Sequence, residues 1–510
     1  MATKIATPGV YIEESSSFGN SVVAVPTAVP AFVGYTQKAI KGNNSINNVP
    51  TRITSLAEYH KYFGGPSFTK CDISADENSG FNIKIEKSSK YMMYDSMRMF
   101  FNNGGGACYI VSVGDYSSNI SLKKLNDLKN NGGISSLERV QEPTLLVVPD
   151  AVLLSESDCF TIQSQMLAHC GQKMRNRFAI LDVYNGTSTR THDDNDVINR
   201  FREGVGSNNL SWGAAYYPFV NTTTYSSSEI NFTRINNLET LAELLLAEAQ
   251  SNLEKNKISQ SKFEAISDEI QKVLDPENNN TSSTHVILSA VSSLYNGVMA
   301  SILSEMNVMP PSSAMAGAYA MVDESVNIAK SPANLSLGSV ISPCVNINSD
   351  DQEDMNMPLN GKAVNAIRSF TGKGTLVWGA RTLDGNSQDW RYINVRRTMT
   401  FLEQSIKSAA EAFVFEPNNS STWTSLRATV NSFLNTQWLG GVLEGSSPSE
   451  AYAVDVGLGT TMTANDVLDG LLKMTVKVAL VRPAEFIVIT FEQKQNDPGG
   501  GGEEDAAATE

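Results

Sequence analysis

Three features of the sequence predict an α+β multidomain fold. The middle alternates apolar strands with amphipathic helices. A second, denser region of strands and helices begins near residue 331. Each end carries a strand-like segment with no partner beside it. Length agrees, since 510 residues exceed what one hydrophobic core usually holds.

The first segment is PGVYIEES, residues 8–15. Val10 and Ile12 face one way, Tyr11 and Glu13 the other. Pro8-Gly9 disfavours a helix, and a Ser/Gly/Asn leash follows. SVVAVPTAVPAFVGYT (21–36) reads as strand pieces punctuated by proline. ITSLAEYHKYFG and YMMYDSMRMFF have helical spacing, and NNGGGACYIVSV reads as a turn and a strand. TLLVVPDA, RFAILDVY and WGAAYYPFV read as buried strands, with a helix over 159–173 between the first two. This alternation predicts an α/β unit.

From 226 to 310 the chain is helix-prone, as a helical insertion or as the last layers of the α/β unit. NSDDQEDMNMP (348–358) reads as a solvated acidic loop. Met399, Leu402, Ile406, Ala409, Ala410 and Phe413 then mark one helix face, and Trp423, Leu426, Val430, Phe433 and Leu434 a second. AYAVDV and TVKVALV are strands, and FIVITF (486–491) is the last, apolar on both faces. The acidic tail DPGGGGEEDAAATE (497–510) cannot bury a core and is expected to be mobile.

A net charge of −15 argues against non-specific nucleic-acid binding. No apolar run is long enough for a membrane span, and no secretory signal is visible. Five scattered cysteines without a C-x-x-C pair predict neither a disulfide framework nor a zinc site. Residues 361–496 hold 13 basic and 12 acidic side chains, so the acid load lies elsewhere. A near-neutral segment suits self-association.

Signs of catalysis are weak. NNGGGACYI and TGKGTL lack the strand–loop–helix context of a phosphate loop. His169 and Cys170 are adjacent on a helix and point about 100° apart. Asp182 ends a middle strand, where α/β enzymes often keep an acid, but no partner stands out. Asp350, Asp351, Glu353 and Asp354 lack a calcium-loop pattern. Arg391, Arg396 and Arg397 with Glu403 and Glu416 read as intrachain ion pairs or as a docking face.

Several motifs in one order carry a resemblance. PGVYIEE, AFVGYT, FFNNGGGACYIVSV, SPANLSLGSV, NAIRSF, GTLVWGARTL, WRYINVRR, LEQSI, FVFEPNN and RPAEFI resemble the sheath proteins of contractile phage tails and of phage tail-like contractile injection systems. The match is dense from about 331 to 492 and thin between about 115 and 330.

The resemblance implies a discontinuous sheath core (21–95 plus 331–482), an inserted outer α/β domain (96–330), an N-terminal linking arm (1–20) and a C-terminal linking strand (483–496). It implies that Val10, Tyr11, Ile12 and Glu13, and Phe486, Ile487, Val488, Ile489 and Phe491, join sheets of neighbouring subunits. Arg397, Lys407 and Glu411 are tube-side candidates.

The implied function is a contractile sheath without catalysis or cofactor, polymerised around an inner tube. Its partners would be further copies, the tube protein, baseplate and terminator or cap proteins, and sheath paralogues. The particle would assemble in the bacterial cytoplasm and be released, anchored at a membrane, or carried in a virion. An injection system is preferred to a phage virion tail. The more distant alternative is an α/β hydrolase-like enzyme.

Overall fold

The computed structural model describes residues 22–76, 80–275, 277 and 280–486. Eight strands form the central sheet. They are β1 (Pro30–Gly34), β2 (Thr51–Ile53), β3 (Cys108–Ser112), β4 (Leu145–Val147), β5 (Phe178–Asp182), β6 (Gly213–Tyr217), β7 (Asn365–Phe370) and β8 (Gly374–Trp378). Their spatial order is β8-β7-β6-β5-β4-β1-β3-β2. The six inner strands are parallel, with Phe32 opposite Ile110 and Val147, and Leu145 opposite Phe178. The edge strands β2 and β8 are antiparallel.

Period-two alternation divides these strands between two cores. Val33, Val111, Leu146, Leu181 and Ala215 face one side, packed on Ile162 and Met166 of helix Glu156–Ala168. Phe32, Ile110, Leu145, Ile180 and Tyr216 face the other. There they meet Met93, Met97 and Phe100 of helix Met93–Asn102, and Met315 and Tyr319 of helix Ser312–Ser325. Covering both faces is what a parallel sheet requires.

The expected helices at 53–64, 91–101 and 159–173 appear as Leu56–Phe63, Met93–Asn102 and Glu156–Ala168. The triple glycine after the second is a turn. Gly104 has φ +87°, and a Cβ on Gly105 would strike the Phe100 ring at 2.6 Å.

The helix-prone region contains helices Leu238–Glu254, Gln260–Leu274, Thr281–Val291 and Ser293–Met306. They build a third core with Cys71, Ile73, Phe81, Ile83 and Ile85 of the paired strands Cys71–Asp76 and Gly80–Ile85. A fourth core joins Phe401, Leu402, Leu426, Val430, Phe433, Leu434 and Val454. Strands from either side of the expected 95/96 and 330/331 boundaries share the central sheet.

The acidic stretch is not a loop. Ser349–Asn356 is a helix, because Asn348 and Asp351 form a capping box and first-turn acids favour its N-terminus. Asp354 accepts from Arg190 at 2.8 Å and Arg202 at 3.1 Å.

Asp182 is a buried cap. It accepts from Ser312 N at 2.8 Å and Ser312 Oγ at 2.5 Å, at the start of helix Ser312–Ser325. Burial pushes its pKa up to about 7, against the lowering effect of those hydrogen bonds. A raised carboxylate stabilises the fold fully below its unfolded value, about pH 4. That stability is lost as pH rises through about 7. Asp182→Asn is therefore expected to flatten the fall in melting temperature between about pH 5 and pH 8, by less than the roughly 2–4 °C per kcal/mol of a 150–250-residue domain. Identical pH slopes for the two proteins would refute this.

Candidate functional site

Helix Ile393–Glu411 is the element around which both ends of the described chain gather. Its first two turns are enclosed on all sides. Ile393, Asn394, Val395, Arg396, Arg397 and Thr398 are all buried. The sequence pattern shows one apolar face only from Met399 onward. Upstream, polar side chains are buried because each finds a partner.

Arg396 lies between two indoles, 4.2 Å from the ring centres of Trp212 and Trp390, and burial lowers its pKa. Arg397 forms a two-pronged ion pair with Asp323, at 3.0 and 2.6 Å, and lies 4.8 Å from the Tyr319 ring centre. Trp212 and Asp323 belong to the body, so these arginines fasten the helix to it.

The N-terminal root crosses this helix. Val25 N donates to Ser405 Oγ at 3.2 Å, and the Thr27 carbonyl accepts from Arg397 at 3.1 Å. Val22 and Val25 pack on the fourth core. The C-terminal root crosses the same helix near its start. Asn394 Nδ2 donates to the Val481 carbonyl at 3.0 Å. Glu485 accepts from Arg381 at 2.9 and 2.6 Å, from Asn356 at 2.7 Å and from Tyr392 OH at 3.2 Å. Burial raises the Glu485 pKa, but the Arg381 and Asn356 hydrogen bonds and the Arg381 charge outweigh it and hold the carboxyl below its usual value.

Phe486 follows at once and is 65% exposed. Of the expected linkage residues it alone is described. Val10, Tyr11, Ile12, Glu13, Ile487, Val488, Ile489 and Phe491 lie outside the described residues. Beside both roots stands an antiparallel pair, Tyr452–Val456 with Met474–Val478. Among the described residues this sheet has two strands, so each keeps one outer edge unpaired.

The three tube-side candidates line one groove of about 320 Å³ together with Pro26, Glu142 and Gln404. Arg397 is buried there, with its guanidinium engaged by Asp323 and Thr27, whereas Lys407 and Glu411 are exposed.

The hints of catalysis resolve into structural roles. His169 Nε2 lies 3.3 Å from Arg177, and burial pushes the Cys170 thiol up to about 12. Among the described residues no cluster of His, Cys, Asp or Glu is arranged to hold a metal.

Arg381, Asn356, Tyr392 and Glu485 were not singled out from the sequence. Arg381 and Glu485 stand within the motifs GTLVWGARTL and RPAEFI, but their pairing spans 104 residues.

This architecture, a mixed sheet with helices, is shared with tail-sheath proteins, which are structural proteins. Residues 386–494 match the phage tail sheath C-terminal domain. The tail sheath protein of Vibrio phage KVP40 is 33% identical over 82 residues, a match spanning 16% of this chain and 12% of that one. A chain in the contracted helical sheath of the anti-feeding prophage aligns with TM-score 0.60 and 26% identity, covering 96% of this chain and 99% of that one. A chain in the baseplate of that particle gives 0.59 and 27% over the same shares. A chain in the contracted sheath complex of PVC, an extracellular contractile injection system, gives 0.58 and 26%, again with 96% and 99% covered. Residues 386–494 thus carry a phage tail sheath C-terminal domain, and over nearly its whole length the chain is similar to sheath chains of contractile injection systems.

Removing one partner of a buried ion pair leaves the other charge stranded. Asp323→Ala is expected to cost about 3–5 kcal/mol, read from the urea midpoint. Asp323→Leu with Arg397→Met should recover most of that loss. A double variant no more stable than Asp323→Ala would contradict the pairing.

Proposed function

We propose that this chain polymerises helically around an inner tube and contracts to drive that tube through a target envelope. The observation that carries this reading is the two-edged strand pair Tyr452–Val456 and Met474–Val478 beside both chain roots. A strand from a neighbouring copy can add to each edge. The incoming strands are Val10–Glu13 from one neighbour and Phe486–Phe491 from another. Each adds roughly four to six backbone hydrogen bonds, worth about 1 kcal/mol net apiece. The 14–20 leash lets the body turn while its strand stays paired.

Lys407 and Glu411 are the exposed charges that face the tube in this reading, and Arg397 holds their helix in place. The inserted region 96–330, with its helical stretch 226–310, forms the outer part in this reading. The likeness to anti-feeding prophage and PVC sheath chains runs over 96% of the chain, whereas the phage relative matches over 82 residues. That favours an injection-system sheath over a virion tail. Baseplate, terminator or cap proteins and sheath paralogues are its further partners.

Negative-stain electron microscopy of the protein co-expressed with its tube tests this directly. Wild type is expected to form hollow tubes. Deletion of residues 2–14 is expected to leave a folded subunit that forms none. Normal tubes from the deletion would exclude arm exchange.

A further inference from the structure

The two roots share one helix. Tyr392 and Asn394 hold Glu485 and Val481, while Arg397 and Ser405 hold Thr27 and Val25. From Tyr392 to Ser405 is roughly 20 Å along a helix axis at 1.5 Å per residue. The C-terminal root is the more tightly held. Four hydrogen bonds converge on the Glu485 carboxylate, and Arg381 is 2% exposed. The Arg381 backbone is itself tied to the start of β7. Its N–H donates to Asn365 Oδ1 and its carbonyl accepts from Asn365 Nδ2, both at 2.8 Å.

We propose that Arg381, Asn356 and Tyr392 clamp Glu485 to fix the origin and direction of the C-terminal linking strand. Helix Ile393–Glu411 then transmits the pull of one arm to the other. The inference rests on the exchanged-arm reading. A strand that joins a neighbour's sheet must arrive in register, since a slip of one residue turns every side chain to the opposite face. Glu485 immediately precedes Phe486, the first residue of that strand. A bidentate arginine–carboxylate pair sets orientation as well as distance. Releasing it lengthens the tether and lowers the effective concentration of the strand at its target edge. These are positioning residues, and their effect falls on assembly more than on the fold of the free subunit.

The test compares three proteins co-expressed with the tube. One carries Arg381→Met with Glu485→Met, one lacks residues 487–496, and one carries Tyr392→Phe with Asn356→Ala. Removing both charges together strands neither, so the first protein should melt close to wild type. Its yield of sheath by sedimentation and microscopy should fall by at least about ten-fold, a part of the roughly 10²–10⁴-fold that linking a second contact contributes. The third should retain wild-type melting and give an intermediate yield. If the strand deletion abolishes sheath but the methionine pair assembles like wild type, the clamp is refuted and exchange stands. If the strand deletion also assembles normally, the exchange reading fails and the clamp with it. Should the methionine pair fail to fold, the third protein decides, and wild-type yield from it would overturn the clamp.

Discussion

A buried charge is tolerated only when a partner meets it, and that constraint shapes the junction on which this molecule depends. Arg397 with Asp323, Arg396 between Trp212 and Trp390, and Arg381 with Glu485 all converge near the start of helix Ile393–Glu411. Each contact is intolerant of displacement. Together they lock the C-terminal part onto the body and pin both chain roots to one rigid element. In the proposed reading, where force passes between copies through the chain ends, this fixing holds those ends in place.

The sheets divide the work. The central sheet ends in β2, only three residues long, and in β8, covered on its outer side. There Val377 bridges Leu335, and Thr375 donates to the Ile341 carbonyl. Short or covered edges resist further pairing. Over Tyr452–Val456 and Met474–Val478 no third strand pairs among the described residues, and Leu443 bridges Leu480 only past the end of the second strand. This strand pair lies in the part that matches the phage tail sheath C-terminal domain.

Much of the fold was legible because its signals are local. The strands at 145–147, 178–182 and 213–217 are short apolar runs, and the helices at 93–102 and 420–439 carry regular periodicity. Two features were hidden. The acidic segment 349–356 looked like a loop because its charges gain meaning only beside Arg190 and Arg202, more than 150 residues away. The start of helix Ile393–Glu411 broke the apolar pattern because its polar residues are buried against distant partners. The Glu485 clamp was invisible for the same reason. Family motifs pointed to the segments that contain it, but not to the contact.

The most direct measurement is a cryo-electron microscopy map of the assembled sheath, read at residues 452–456 and 474–478. Exchanged arms require a four-stranded sheet there, with the two added strands traced to two other copies. A sheet that stays two-stranded, or that is completed by the same chain's own ends, would contradict the exchange.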